Sequence, residues 1–142
     1  MHGAAVTVDG RTVGEIGRGL LVFVGVAEGD GPADLDYLAS KIQGLRIFGD
    51  DAGRMNRSVT EVSGAVLLVS QFTLFGDVRR GRRPAFDGAA GPEAAREWYE
   101  ALSARLTAMG TPVATGVFQA DMQVSLVNDG PVTILIDSRR LF

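Results

Sequence analysis

The sequence predicts an α+β fold with two main helices. The fold is either a two-layer arrangement of sheet and helices or a sheet that is partly closed like a β-barrel. The chain has 142 residues, of which 46% are hydrophobic and 22% charged, the length and mixture of a single domain. Two segments space their apolar residues as helices do, and several shorter segments have the apolar character of strands. We therefore expect one domain over residues 1–142.

The N-terminal half is predicted to form a hairpin, a buried strand and a helix. Val6–Val8 and Thr12–Val13 flank Asp9–Gly10, a pair that readily supplies the positive φ angles of a tight turn. Residues 19–26 form a continuous apolar run, as expected of a strand covered on both faces. Apolar residues at helical spacing then predict a helix over residues 33–46.

The C-terminal half is predicted to place a second helix among four strands. Its apolar spacing predicts the helix over residues 93–109, and Gly110 ends it. The polar residues 49–64 and the glycine- and arginine-rich residues 76–91 are predicted connections. The four strands are predicted over residues 65–69, 112–118, 121–127 and 132–137.

The composition excludes several catalytic strategies. There is no cysteine, and the single histidine is His2, so thiol nucleophiles, a Ser-His-Asp triad and a histidine zinc site are not expected. A hydrolase of this composition must use backbone donors, carboxylates or the substrate itself. The net charge is −3, yet 13 of the 14 basic residues are arginine, the side chain suited to bidentate phosphate contacts.

Polar residues follow the strand that begins at Ala65. Ser70 or Thr73 is a candidate nucleophile, and the backbone N–H groups of this segment are candidate donors to an oxyanion. The alternative is that these side chains only satisfy local hydrogen bonds. From the segment alone, this alternative is the more common case.

Three further segments have a functional and a structural interpretation. Arg79, Arg80, Arg82 and Arg83 form either a solvated loop or a phosphate site, and residues 128–131 form either a hairpin turn or a rigid recognition element. Aromatic residues and methionines near the C-terminal strands are more typical of a core than of a pocket. The carboxylates have no spacing that specifies a metal site, and we expect no cofactor.

Three separated motifs together resemble the D-aminoacyl-tRNA deacylase family, also called the D-tyrosyl-tRNA deacylase family. They are Ser70–Leu74 (SQFTL), Gly81–Phe86 (Gly-x-Arg-Pro-x-Phe) and Met122–Thr133 (MQVSLVNDGPVT), in the family's order and spacing. The resemblance extends from Ala4 to Ile136 and implies the deacylase-like fold.

The resemblance implies a homodimeric esterase that releases a D-amino acid from the 3′ end of tRNA, or glycine mischarged on tRNA(Ala). It assigns largely backbone catalytic roles to Gln71, Phe72 and Thr73, and it makes Gly130–Pro131 a cis peptide that enters the partner's pocket as chiral selector. Such a filter places rigid backbone where an L side chain would lie, and glycine passes because it has no side chain. The residues implied to contact the substrate are Ser70, Gln71, Phe72, Phe118, Ala120 and Met122.

Family members usually carry an additional N-terminal stretch with an Arg-Val pair, whose arginine helps to hold the Gly-Pro segment. This chain starts at Met1–Gly3, so we expect the family's first residues to be missing from it. We also expect a cytoplasmic protein with no membrane partner, since no apolar run is long enough to span a bilayer.

Two other functions remain open. One is a non-catalytic tRNA- or RNA-binding protein that uses the arginine loop 79–83. The other is a Ser or Thr hydrolase of small esters, with Ser70 or Thr73 as the nucleophile, although no base is visible that would activate either hydroxyl.

Overall fold

The computed structural model describes residues 1–142 and confirms the predicted α+β class. The strands are β1 (Gly3–Val8), β2 (Arg11–Ile16), β3 (Gly19–Val24), β4 (Phe48–Gly49), β5 (Met55–Arg57), β6 (Ala65–Ser70), β7 (Val113–Thr115) and β8 (Gln123–Val127). The helices are α1 (Pro32–Gly44) and α2 (Pro92–Ala108), and a short 3₁₀ helix spans Phe72–Phe75. No helix combines the length and the apolar character needed to cross a membrane.

The strands form two main sheets, neither of which closes into a barrel. The first sheet is antiparallel with the order β2-β1-β8, and the second is parallel with the order β3-β6-β7. Parallel neighbours need long crossovers, and here α1 connects β3 to β6 while α2 connects β6 to β7. The remaining strands, β4 and β5, pair only with each other.

Strand β6 lies at the centre of the molecule, between the first sheet and the helices. Val66 and Leu68 belong to a core cluster with α1 and α2, whereas Leu67 and Val69 belong to a second cluster with Ala4 and Val6 of β1. Both faces of β6 are therefore buried, which explains its unbroken apolar sequence.

The two predicted helices are confirmed, with boundaries shifted by one or two residues. Helix α2 buries Ala95, Tyr99, Leu102 and Leu106 on the side that faces the sheet, as their spacing predicted. Gly110 follows it with a φ of +94°, the left-handed conformation in which glycine commonly ends helices.

The predicted strand over residues 132–137 is wrong, because no strand occurs after Val127. Strand β8 pairs with β1, and the chain then leaves the sheet without another strand beside it. The predicted strands over 112–118 and 121–127 are shorter than expected, and residues 49–64 include the small β4–β5 hairpin. Residues 19–26 form a strand only to Val24, and the expected coverage on both faces is wrong, since most of the strand is partly buried and Phe23 is 41% exposed.

Candidate active site

The candidate site lies where the three parallel strands end at one edge of the second sheet. The exits of β3, β6 and β7 meet there, since parallel strands bring their carboxyl ends together. The Gln71 N–H donates to the Val24 carbonyl oxygen at 2.8 Å, and the Gly116 N–H donates to the Leu68 carbonyl oxygen at 3.3 Å. These bonds bring the predicted segments 70–73 and 116–122 to the same edge.

The 3₁₀ helix after β6 presents backbone donors at this edge. Its first turn closes when the Leu74 N–H donates to the Gln71 carbonyl oxygen at 3.2 Å. The N–H groups of Phe72 and Thr73 precede that bond and have no acceptor inside the helix, as is general for the first donors of a helix. Both residues are exposed, and their N–H groups are candidate donors to an oxyanion.

The Thr73 hydroxyl has an amide donor and no base beside it. The Gln71 Nε2 donates to the Thr73 Oγ1, and no carboxylate or histidine is hydrogen-bonded to that oxygen. His2 lies elsewhere, with its Nε2 3.4 Å from Asp129 Oδ2. No group of three or more histidine or acidic residues is positioned to hold a metal ion. The geometry offers positioned donors rather than an activated nucleophile.

Gly25, just after β3, lets the 3₁₀ helix pack closely against the end of that strand, a role that the sequence did not reveal. A Cβ at this position would lie 2.7 Å from Phe75 Cε2 and 3.2 Å from the Gln71 carbonyl oxygen. Phe72 of this helix also contacts Phe86: the two rings meet edge to face with centroids 5.0 Å apart. Phe86 ends the Gly-x-Arg-Pro-x-Phe motif, so packing against the site accounts for that motif's aromatic position.

A second wall of the site is formed by residues 116–122. The Ala120 N–H donates to the Val117 carbonyl oxygen at 3.1 Å, across a turn in which Gln119 has a φ of +66°. Met122 packs so closely against Gly116 that a Cβ there would lie 2.6 Å from the methionine sulfur. Gly116 thus allows Met122 to hold this turn in place.

Phe118 in this wall rests on buried Tyr99. The two rings meet edge to face with centroids 6.0 Å apart, and the Tyr99 hydroxyl donates to the Leu68 carbonyl oxygen at 2.7 Å. Burial raises the pKa of Tyr99 above its usual value. The hydroxyl therefore stays protonated at neutral pH and keeps this donor bond.

The arginines of the loop 79–83 differ in whether they are paired with a carboxylate. Arg79 is paired with Asp77, since its Nε is 3.0 Å from Asp77 Oδ1 and its Nη2 is 2.7 Å from Asp77 Oδ2. Hydrogen bonds from Arg79 lower the pKa of Asp77 to about 2, so the pair is charged at neutral pH. Arg80, Arg82 and Arg83 are exposed and form no salt bridge within the chain.

The Gly130–Pro131 segment is exposed and apart from the other site residues within one chain. Its peptide bond is cis, and Gly130 has a φ of +128°. The Val132 N–H donates to Asn128 Oδ1 at 3.4 Å, and the polar side-chain contacts of the segment are local or with His2. None of its hydrogen bonds reaches the edge where β6 ends.

Comparison with known proteins decides the family. Residues 1–137 match the family described as D-Tyr-tRNA(Tyr) deacylase. The chain belongs to this deacylase family. The resemblance seen in the sequence motifs is thereby confirmed, and so is the expected class of enzyme.

Relatives within the deacylase family match nearly the whole chain. The D-aminoacyl-tRNA deacylase of Anaeromyxobacter dehalogenans is 63% identical over 139 residues, which cover 98% of this chain and 93% of that protein. The D-aminoacyl-tRNA deacylase of Koribacter versatilis is 60% identical with the same coverage.

Solved structures share the deacylase fold. One described as c-Myc DNA unwinding element binding protein has a TM-score of 0.89 at 38% identity, covering 94% of this chain and 91% of the other. Another, described as a probable eukaryotic D-amino acid tRNA deacylase, has a TM-score of 0.75 at 17% identity and covers 92% and 91%. The second likeness bears on the fold alone.

Proposed function

We propose that this chain acts as a homodimer that hydrolyses the ester bond of D-aminoacyl-tRNA, and of glycine mischarged on tRNA(Ala), releasing the amino acid and free tRNA. The observation that carries the proposal is a pair of free backbone donors at the β6 edge, with no side-chain base beside them, in a member of the deacylase family.

The Phe72 and Thr73 N–H groups stabilise the negative charge that forms when water attacks the ester carbonyl. Gln71 positions Thr73 through its side-chain amide, and Ser70 lines the same pocket. The attacking water gives up a proton, and the ribose oxygen takes one as it leaves, with the neighbouring ribose hydroxyl as the shuttle. A well-placed oxyanion donor contributes about a hundredfold to a thousandfold in rate, and the ribose hydroxyl takes the part of a side-chain base.

The terminal adenosine lies against the wall formed by Phe118, Ala120 and Met122. Phe118 offers an aromatic face held by Tyr99, and bases stack on such faces without sequence preference. This placement directs the aminoacyl ester toward the 3₁₀ helix at the same edge.

Gly130–Pro131 of one subunit enters the pocket of the other and excludes L side chains. Support comes from the isolation of this segment within one chain and from the apolar stretch that follows it. Ile134 is 49% exposed and Leu135 is 71% exposed, although both are aliphatic and have strand-forming neighbours. Large apolar side chains exposed in a row are typical of a surface that another chain covers.

The body of the tRNA is held by Arg80, Arg82 and Arg83, whose charges are free for phosphates. Arg79 contributes less, because Asp77 already neutralises it. The same free arginines favour the second candidate function, RNA binding without catalysis. That candidate predicts binding that weakens with salt but no release of the amino acid.

The aminoacyl specificity is tested on tRNA(Ala) charged with glycine or with L-alanine. A backbone filter passes glycine and rejects L-alanine, so release of glycine is expected to be faster by at least about a hundredfold. Binding of both substrates with no release of either amino acid would instead support the RNA-binding candidate.

Thr73→Ala separates the proposed mechanism from a Thr73 acyl-enzyme. With backbone donors and ribose assistance, the variant keeps measurable hydrolysis of D-tyrosyl-tRNA, because the residue 73 N–H remains. Loss of all turnover in a variant with unchanged thermal stability would indicate that the hydroxyl is the nucleophile.

A further inference from the structure

A surface cavity of about 490 Å³, wide open to solvent, lies beside Phe118, between α2 and the end of β7. Its volume is within the range of small-ligand sites. Phe118 lines this cavity as well as the proposed adenosine wall, whereas Ala120 and Met122 do not line it. Its wall consists of residues 115–118 together with Arg96, Tyr99, Glu100, Ser103 and Ala104 of α2.

Arg96 supplies a positive charge to this cavity, and it forms no salt bridge with Glu100, the one carboxylate in the wall. Its guanidinium carbon lies 5.1 Å from the centre of the Phe118 ring, a cation–π contact that holds an otherwise exposed side chain in place. No carboxylate pairs with it, whereas Arg105 on the same helix is paired with Asp36. A planar cation that is oriented and unpaired favours a phosphate ligand.

The position of the cavity relative to the proposed adenosine wall identifies the ligand. If the terminal adenosine lies on Phe118, its 5′ phosphate and the preceding nucleotide must leave the pocket past the residues next to Phe118. The cavity with Arg96 at Phe118 is such a place.

We infer that this cavity binds the nucleotide that precedes the terminal adenosine of tRNA, with Arg96 on the phosphate that links the two. This inference rests on the proposed function and adds a specificity subsite to it. The Ser103 and Thr115 hydroxyls and the Glu100 carboxylate in the wall offer hydrogen-bond partners to the polar edge of the base. Arg96 acts on binding and is remote from the ester.

The test compares two small substrates, the D-tyrosyl ester of adenosine and the D-tyrosyl ester of the dinucleotide CpA. The dinucleotide adds only the linking phosphate and one nucleotide. The unaltered protein is expected to cleave the dinucleotide ester with a kcat/KM about tenfold higher, the gain typical of one hydrogen bond to a charged group. In Arg96→Gln most of this preference is lost, and the loss appears mainly in KM.

Arg105→Gln is the matched control, since it removes the same charge from the same helix outside the cavity. It is expected to keep the preference for the dinucleotide ester. Equal cleavage of the two esters by the unaltered protein, or an undiminished preference in Arg96→Gln, would overturn the inference while leaving the proposed function intact. Failure of the unaltered protein to cleave either ester or D-tyrosyl-tRNA would reject the proposed function, and the inference with it.

Discussion

At Asp77 and Arg79, two opposite charges at the base of the arginine loop neutralise each other. The pKa of Asp77 is about 2, below its ordinary 3.8, because Arg79 donates hydrogen bonds to the charged carboxylate. The folded-state pKa is the lower one, so the stabilisation from this pair is complete above about pH 3.8 and is lost as the pH falls toward 2. Arg79 therefore stays paired throughout the neutral range.

Asp77→Asn is expected to release Arg79 and to strengthen tRNA binding. One additional free arginine adds about one phosphate contact. A plot of log affinity against log salt concentration then becomes steeper by about one unit of slope. Binding of tRNA is measured over a series of salt concentrations. Asp87→Asn is the control, because Asp87 lies in the same exposed loop and forms no salt bridge. An identical slope change in both variants would show that net charge alone, rather than the release of Arg79, is responsible.

Gly25→Ala is expected to impair catalysis more than stability. The new methyl group meets Phe75 and the Gln71 carbonyl oxygen, and it is expected to displace the 3₁₀ helix that carries the proposed oxyanion donors. Misplacement of reacting groups by about 1 Å costs on the order of a hundredfold in rate. The measurement is kcat/KM on D-tyrosyl-tRNA, with Gly44→Ala as control, since nothing lies within 4 Å of a Cβ at Gly44. Full activity in Gly25→Ala would contradict this role.

The sequence identified Gln71, Phe72 and Thr73 through their motif, and Gly25 belongs to a segment that also resembles the family, but the sequence did not indicate what Gly25 does. Its role depends on a close approach between two strand ends that are far apart in the chain, and spacing alone does not report such contacts. The pairing of Arg79 was equally hidden, because an aspartate two residues before an arginine is compatible with either a paired or a free guanidinium.

The close contact between the two sheets depends on Gly14 in β2. A Cβ there would lie 2.2 Å from the Thr115 carbonyl oxygen and 3.2 Å from Leu67 Cδ1. Gly14→Ala therefore forces the sheets apart and is expected to cost about 1–3 kcal/mol in the free energy of unfolding. Denaturant unfolding measures this loss. Gly17→Ala, where nothing lies within 4 Å, is expected to be nearly neutral, and equal losses in the two variants would contradict the account.

The elements that the sequence predicted correctly are those whose partners lie within the chain. The hairpin of β1 and β2 follows from the Asp9–Gly10 turn, where both residues have positive φ, and β6 follows from burial on both faces. Residues 132–137 have an equally strand-like composition, yet they pair with no strand of the chain. Composition reports the preference for extended backbone, whereas pairing depends on a partner.

For the whole molecule, the exposed apolar C-terminal segment determines the expected assembly. If a second subunit covers it, Leu135→Asp places an unpaired charge in the interface and weakens the dimer, and deacylation falls with it. Sedimentation at several protein concentrations measures the assembly. Leu141→Asp is the control. Leu141 is 78% exposed, but it lies beyond Ser138, whose hydrogen bond to Asp34 of α1 ties that end of the chain to its own subunit. A monomeric unaltered protein with full activity would contradict the shared site.

The contribution of each subunit can be measured in purified mixed dimers of Gly25→Ala, which is expected to be catalytically impaired, and Gly130→Val, which is expected to lose chiral selection. Gly130 has a φ of +128°, which a valine does not tolerate, so the second variant is expected to lose the selector. If the selector acts across the interface, the one active pocket of a mixed dimer receives the intact selector of its partner, so the mixed dimer cleaves D-tyrosyl-tRNA and rejects the L ester. If the selector acts within its own chain, that pocket keeps its own defective selector, and the mixed dimer cleaves both esters.

The most direct test of the account is the rate of hydrolysis of tyrosyl-tRNA charged with the D or the L amino acid, measured with the same enzyme preparation. The account predicts rapid release of D-tyrosine and a rate for the L ester close to that without enzyme. Equal rates for the two esters, or no release of D-tyrosine by an intact dimer, would contradict it.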